Sequence, residues 1–330
     1  MTAAASGGLV VGVDSGGSGL RVALARPGGG DGDARVLETV TSGEPVPTGP
    51  GGIDVGRLLG RLLPAVEAMA ARAGGGTVLA VAVGAAGMAT LGDRLRAELP
   101  GALDRAWGVR RLALAADAVT AYAGALGQRP GAVVAGGTGL IAIGTDLSGW
   151  RRADGWGHLL GDCGSGAWIG RAGLEAAMRA YDGRRGGSAA LLARAEERFG
   201  PAAGLPAALY PRTDRPAVLA SFAPDVAAVA GTGDPVAGGI LGEAGRHIAE
   251  AAAAVVPDGS GGEVAFTGGL FRMGEALLGS LRAELGGLAP GVREVPAAGD
   301  PLAGAVTIAA ALASGTLRLP EDPRMLQLTS

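Results

Sequence analysis

Small and apolar residues crowd positions 9–14 (LVVGVD), break over a glycine-rich stretch, and resume as an alternating run that stops at Pro27. Val22 and Leu24 fall on one face of that second run, so the pattern predicts a strand, a glycine turn and a second strand. The second arm is too short for a helix. That excludes a Rossmann or P-loop reading, in which the glycines open a long helix. A polar, Gly- and Pro-rich stretch over 28–52 holds one short predicted strand near 36–40. Residues 55–73 have helical spacing, with Pro64 expected to restrict or bend the helix. TVLAVAVGAAG (77–87) reads as a buried strand entering a small-residue loop, and RLALAADAVTAYAGAL (111–126) as a strand ending at Asp117 followed by a helix.

GAVVAGGTGLIAIGTD (131–146) then repeats the opening theme of strand, glycine turn and strand. Ser18 and Thr138 occupy equivalent places about 120 residues apart, which predicts two domains of related topology. The later half is mainly helical, over 171–182, 189–199 and 235–256. It is interrupted by EVAFTGGLFRMGEAL (263–277), a strand that opens through Gly268 and Gly269 into a helix. A short strand at 292–296 leads into a closing helix. Alternating strands and helices define an α/β architecture.

A length of 330 residues points to two domains. Hydrophobic content of 48% against 18% charge describes a folded globular chain. The net charge of −3 comes with no basic block, so neither nucleic acid nor an anionic membrane is expected as a partner. One cysteine excludes an intrachain disulfide and a Cys-rich zinc site and suits a reducing compartment. The first residues lack a signal-peptide pattern and no run reaches the ~20 apolar residues of a membrane span, so a cytoplasmic protein is expected. There is no lysine and no asparagine. The missing lysine excludes a Walker A loop and any Schiff-base enzyme.

Glycine turns without Cβ atoms let backbone N–H groups approach a polyphosphate, which holds phosphate without lysine. Asp14 ends the first strand, where a carboxylate can hold Mg²⁺. One such hairpin alone reads better as an ordinary tight turn with a solvated aspartate; two matching turns plus Gly268–Gly269 after a strand favour nucleotide. GWGHLLGDCGSGAWIG (155–170) is stranger, because six glycines surround two tryptophans, a histidine, an aspartate and the only cysteine.

VDSGGSGLR, AGGTG and AFTGGL resemble the phosphate-1, phosphate-2 and adenosine motifs of the actin/hexokinase superfamily, and GWGHLLGDCGSGAWIG resembles the signature of N-acetylglucosamine kinases in the branch shared with BadF/BcrA-type ATPases. The resemblance covers nearly the whole chain, with the motifs in the expected order. It implies a two-domain actin-like (ribonuclease H-like) α/β fold with nucleotide and sugar in the interdomain cleft. The N-terminal domain would run over 1–117 and take back the last helix, about 304–330; the larger domain would cover 118–303. It implies ATP and Mg²⁺ as cofactors and phosphorylation of the 6-hydroxyl of an amino sugar, N-acetylglucosamine before glucosamine, N-acetylmuramic acid or another hexose. Asp117 matches the catalytic aspartate, a general base for that hydroxyl. Gly16, Gly17, Ser18, Gly137, Thr138, Gly268 and Gly269 match the nucleotide turns, with Ser221 near the nucleotide and Asp14 positioning the metal. Gly155, Trp156, Gly157, Asp162 and Gly166 match the sugar loop, with Thr138 and Gly139 beside it. The resemblance leaves a homodimer open.

Competing readings accompany several of these residues. Asp117 could instead be a carboxylate satisfying amides at a helix start. Trp156 could be a core anchor, and Trp168, one turn into a helix, is read as one. His158 is expected to order the loop by hydrogen bonding, His247 falls on a polar helix face, and Arg21 is as well structural as phosphate-binding. The chain also departs from the family. Cys163 stands where glutamate is usual, and a neutral thiol cannot replace that charge. An asparagine used on the sugar ring has no counterpart in TSGEPVPTGP (41–50), which leaves Glu44 or a backbone group to substitute. An electron-transferring activator ATPase would need two cysteines per subunit for a shared iron–sulfur cluster, and one is present. A DNA-binding regulator has no room for a helix-turn-helix before Leu9. A non-catalytic sugar or nucleotide sensor stays open, although it has no chemical need for both Asp14 and Asp117.

Overall fold

Strands β1 (Leu9–Gly16) and β2 (Gly19–Pro27) form the predicted antiparallel hairpin, with Asp14 opposite Arg21. The computed structural model describes residues 7–329 apart from 17–18, 31, 45, 50–51, 89–91 and 258–261. Gly17 and Ser18, expected to meet the phosphates, therefore lie outside the described residues. Strand β3 (Ala34–Ser42) is longer than predicted because it pairs along β2 from Pro27↔Ala34 to Leu20↔Ser42. A ladder partner stabilises what a polar composition alone does not. A small ribbon, β4 (Thr48–Gly49) and β5 (Gly52–Ile53), leads into helix Val55–Arg72. Asp54 caps that helix by accepting from the Arg57 amide at 2.9 Å, and the helix runs on through Pro64. Its buried stripe of Val55, Leu58, Leu62, Val66 and Met69 outweighs the single ladder bond that proline removes.

Two further parallel strands, β6 (Val78–Ala85) and β7 (Arg111–Ala116), complete the expected half, joined by helix Asp93–Trp107, which the sequence pattern did not reveal. Its Leu95, Leu99 and Leu103 are buried, but an internal Pro100 masks the signal. The last strand, β13 (Leu326–Thr329), was also unforeseen; it returns to pair antiparallel with β7. The sheet order is β13-β7-β6-β1-β2-β3.

The described chain divides into two units, Met1–Gly131 with Thr145–Trp150 and Pro296–Ser330, and Ala132–Gly144 with Arg151–Val295. The second unit holds β8 (Gly131–Gly136), β9 (Leu140–Thr145), β10 (Trp150–Asp154), β11 (Glu263–Thr267) and β12 (Arg293–Glu294), in the order β10-β9-β8-β11-β12. That order repeats β3-β2-β1-β6-β7, with β8–β11 and β11–β12 parallel as β1–β6 and β6–β7 are. Helix Gly166–Tyr181 starts five residues before the predicted position, over two glycines that look like helix breakers. A Cβ on Gly170 would lie 1.8 Å from the Leu219 carbonyl oxygen, so glycine here admits helix Arg215–Ser221, itself unpredicted. Ile169, Leu174, Phe222, Val226, Leu241, Ile248 and Leu281 fill this unit's core.

In the first unit, helix Pro301–Ser314 crosses helix Asp117–Leu126 at backbone contact. A Cβ on Gly304 would sit 1.9 Å from the Thr120 carbonyl oxygen and 2.4 Å from the Gly124 nitrogen. Gly304→Ala should therefore destabilise this unit by about 2 kcal/mol, because overpacking against a backbone exceeds the ~1 kcal/mol propensity gain of alanine over glycine. Denaturant unfolding measures it; an unchanged or raised stability would show that the crossing can open without cost.

Candidate active site

Strands β1, β6 and β7 run parallel and end together, with Ser15 beside Ala85 and Ala85 beside Ala116. Asp14 lies on β1 at this carboxyl edge and Asp117 directly follows β7, with β6 between the two strands. The carboxyl ends of parallel strands are where open α/β sheets bind ligands. Asp117 is the first residue of its helix; its Oδ1 accepts from the Ala118 amide at 2.9 Å, and its carbonyl accepts from the Thr120 hydroxyl at 2.9 Å. The helix-start role is thus present in the geometry.

Asp14 is not a simple solvated carboxylate. Its Oδ2 accepts from Arg21 Nε at 3.0 Å and from Nη2 at 2.6 Å, while Arg21 Nη1 reaches Asp300 Oδ2 at 2.5 Å. Burial opposes the Arg21 charge, but the hydrogen bonds and charges of Asp14 and Asp300 outweigh it and hold the guanidinium ionised. Glu44, considered as a stand-in for the missing asparagine, is exposed and pairs with Arg61 at 3.0 Å. Among the described residues no group of three or more His, Cys, Asp or Glu side chains could cage a metal. Magnesium needs none where one carboxylate is joined by substrate phosphates and water, and Asp14 fits that donor set.

The second unit gathers most of the remaining candidates around one turn. Gly137–Gly139 closes β8 to β9 with the Gly137 amide on the Gly139 carbonyl at 2.9 Å. Its Gly137 and Thr138 carbonyls accept from the Gly166 and Ala167 amides at 2.9 and 3.0 Å, so the turn rests on the start of helix Gly166–Tyr181. Ser165 caps that helix by accepting from the Trp168 amide at 3.2 Å. Thr138 is exposed above the turn. Gly268, at φ +104°, approaches the Gly136 carbonyl so closely that a Cβ would lie 2.1 Å from its oxygen. The Gly268 turn and the Gly137–Gly139 turn are therefore neighbours. Ser221 ends the helix whose Ala220 touches Gly166, but its hydroxyl donates back to the Val218 carbonyl at 2.7 Å.

The 155–166 loop is organised by a residue just outside it. Asp154 Oδ1 accepts from the Asp162 amide at 2.6 Å and Oδ2 from the Cys163 amide at 2.8 Å. Asp154 and Asp162 both adopt left-handed backbone, at φ +60° and +53°, a conformation held only where surroundings demand it. Asp162 Oδ1 in turn accepts from the Gly157 amide at 3.1 Å. Burial pushes the Asp162 carboxyl above the ordinary carboxylate range; the Asp154 charge adds to this, while the Gly157 and Leu140 amides oppose it. Burial, with the charges of Asp154 and Asp162, also raises the Cys163 thiol, which keeps it neutral.

Trp156 is 60% exposed and is not a core anchor. The Arg152 guanidinium lies 4.2 Å from its ring centroid and donates to the Asp154 and Gly155 carbonyls at 3.0 and 2.6 Å. A cation thus supports the indole on an exposed loop. Trp168 does pack against the core, edge-on to His247 at 5.2 Å. His158 does not order the loop as expected, since its Nε2 is buried with no hydrogen-bond partner. Sequence reasoning missed Arg152, Asp154 and Asp300. For Asp154 a signal existed: an aspartate placed directly before a glycine-rich turn commonly accepts the amides that follow it.

Gly139 shows how tightly this is set. A Cβ there would come within 2.6 Å of Asp162 Oδ2, at a backbone conformation open to any residue. Gly139→Ala should displace that carboxylate and raise the KM for a sugar about tenfold, the scale of one lost hydrogen bond, with little loss of stability. Steady-state kinetics beside a melting curve measures both. An unchanged KM would separate Asp162 from ligand.

The sequence model of the BadF/BadG/BcrA/BcrD ATPase family matches residues 11–309. Over 69 residues, 21% of this chain and 22% of the other, the sequence is 44% identical to an N-acetylmuramic acid/N-acetylglucosamine kinase of Clostridium acetobutylicum. That match thus spans about a fifth of the curated relative. A solved candidate N-acetylglucosamine kinase from Chromobacterium violaceum is similar across 91% of this chain and 98% of its own, at 27% identity and a TM-score of 0.70. A ROK family glucokinase from Streptomyces griseus, solved with glucose and AMPPNP, shares the fold at 22% identity and a TM-score of 0.51, over 91% of this chain and 97% of its own. No described helix is long and apolar enough to cross a membrane. With paired sheets of one strand order, glycine turns at their strand ends and a family match across most of its length, the chain is an actin-like ATPase-fold protein and belongs to the BadF/BadG/BcrA/BcrD ATPase family.

Proposed function

We propose that the protein is an ATP-dependent sugar kinase that phosphorylates the 6-hydroxyl of an amino sugar, with N-acetylglucosamine the first candidate and glucosamine and N-acetylmuramic acid next. The observation that carries this reading is the Asp154-clamped loop, which holds Asp162 half-buried beside the Gly137–Gly139 turn. A carboxylate whose Oδ1 accepts the Gly157 amide retains lone pairs for substrate hydroxyls, and the exposed Trp156 offers a flat face to a sugar ring. Asp117 takes the proton of the 6-hydroxyl as general base. Thr138 and the amides of the glycine turns hold phosphate oxygens, and Asp14 holds the metal. Bound Mg²⁺ and ATP supply the transferable phosphoryl group and the neutralisation of its charge.

ATP consumption by the purified protein, with Mg²⁺ and a panel of hexoses, amino sugars and N-acetyl sugars, tests this. Turnover restricted to amino sugars, with the product identified as the 6-phosphate, is the expected result. Turnover with an unmodified hexose alone would move the specificity, and nucleotide binding without turnover on any sugar would favour the sensor.

A further inference from the structure

Asp14, Arg21 and Asp300 form one ion-pair chain, with Arg21 and Asp300 279 positions apart in sequence, and its division of bonds is unequal. Arg21 places Nε and Nη2 on the same oxygen of Asp14, Oδ2, and only Nη1 on Asp300. Asp300 uses its other oxygen, Oδ1, to cap helix Pro301–Ser314 through the Ala303 amide at 3.0 Å. Its backbone is fixed as well: a Cβ on Gly124, within the helix that Asp117 heads, would lie 2.1 Å from the Asp300 carbonyl oxygen. Asp300 is thus a rigidly mounted carboxylate with one oxygen reserved for Arg21.

We propose that Asp300 is a positioning residue that takes over Arg21 when Asp14 engages a divalent cation. The proposal rests on the kinase reading of Asp14 given above. A guanidinium and a metal ion sharing the Asp14 carboxylate repel each other, so a cation on Asp14 loosens the Arg21 bonds to Oδ2. If Asp14 were the sole partner, its engagement elsewhere would strand a partly buried guanidinium, a cost that would fall on metal affinity. With Asp300 already bonded, Arg21 pivots about Nη1 and keeps a full counter-charge. Asp300 thereby sets how readily Asp14 is released, without touching nucleotide itself.

The test is calorimetric binding of ADP to the full chain, once with Mg²⁺ and once with EDTA, for wild type, Asp300→Asn, Arg21→Gln and the double variant. Asparagine caps helices as well as aspartate does, so Asp300→Asn leaves the fold intact while removing the charge. Asp300→Asn is expected to cut the Mg²⁺-dependent gain in ADP affinity about tenfold, within the usual range of site-to-site coupling, and to leave binding in EDTA unchanged. In the Arg21→Gln background the same substitution should have no effect, because the residue it serves is gone. Equal losses in Mg²⁺ and EDTA, or an undiminished loss without Arg21, would overturn the inference and leave the kinase reading standing. Wild-type ADP affinity indifferent to Mg²⁺ would remove the metal role of Asp14, and the inference with it.

Discussion

Asp117→Ala should lower the turnover number for sugar phosphorylation by about 10²–10⁴, equivalent to about 2.7–5.5 kcal/mol of barrier, with sugar affinity changed only a few-fold. The size follows from the role: a general base acts in the transition state and contributes little to the ground-state complex. The alternative role, satisfying the Ala118 amide at the head of its helix, predicts something different in kind. Losing a carboxylate there costs about 0.5–2 kcal/mol of stability and nothing in turnover. The two are separable in one experiment, because Asp117→Asn keeps an acceptor for the amide bond seen at 2.9 Å and removes the base. If Asp117→Asn turns over like wild type and Asp117→Ala loses only Tm, Asp117 serves the helix and not the proton. If both variants are silent and stable, the base is identified.

The reach of the sequence can be judged element by element. The hairpins at 9–27 and 131–145 were legible because alternation and glycine turns are local, and so was Asp117, which follows a run of buried strand residues. Apart from helix Asp93–Trp107, whose pattern Pro100 masks, what escaped notice depends on distant partners. Strand β13 exists through pairing with β7, more than two hundred positions earlier in the chain, and its own four residues carry no strong strand pattern. Helix Gly166–Tyr181 starts on glycines that propensity penalises, and only the neighbouring Leu219 carbonyl explains them. The site shows the same divide. Of the glycines named from the motifs, Gly139 and Gly268 are places of close approach, to the Asp162 carboxylate and the Gly136 carbonyl, whereas a Cβ on Gly137 would meet nothing within 4 Å. The charges that organise the 155–166 loop and the Arg21 ion pair, Asp154, Arg152 and Asp300, were missed because a salt bridge or an amide clamp has no spacing rule when its partners meet only in the folded chain.

That clamp yields the second large effect. Asp154→Asn should weaken sugar binding about 10²-fold while leaving ADP binding unchanged. Asparagine tolerates the left-handed backbone of φ +60° as well as aspartate does, so the substitution removes the charge without adding strain. It leaves one carbonyl oxygen for two amides, those of Asp162 and Cys163, and turns an NH₂ group toward whichever amide is unmatched. Charge-assisted bonds contribute about 1.5–3 kcal/mol each, so losing one and weakening the other accounts for a factor near 10². A pH titration adds a signature that mere loosening would not produce. The negative charge of Asp154 helps hold the Asp162 carboxyl above its ordinary range, so sugar binding in the wild type should fall away on acidification earlier than a normal carboxylate would allow. Removing that charge lowers the Asp162 pKa, and the acid limb should move to lower pH even as overall affinity drops. Calorimetric titration of sugar across the acid range reads both quantities. A weakened variant with an unmoved acid limb would mean that Asp154 supports the loop backbone but that Asp162 is not the group whose ionisation the sugar requires.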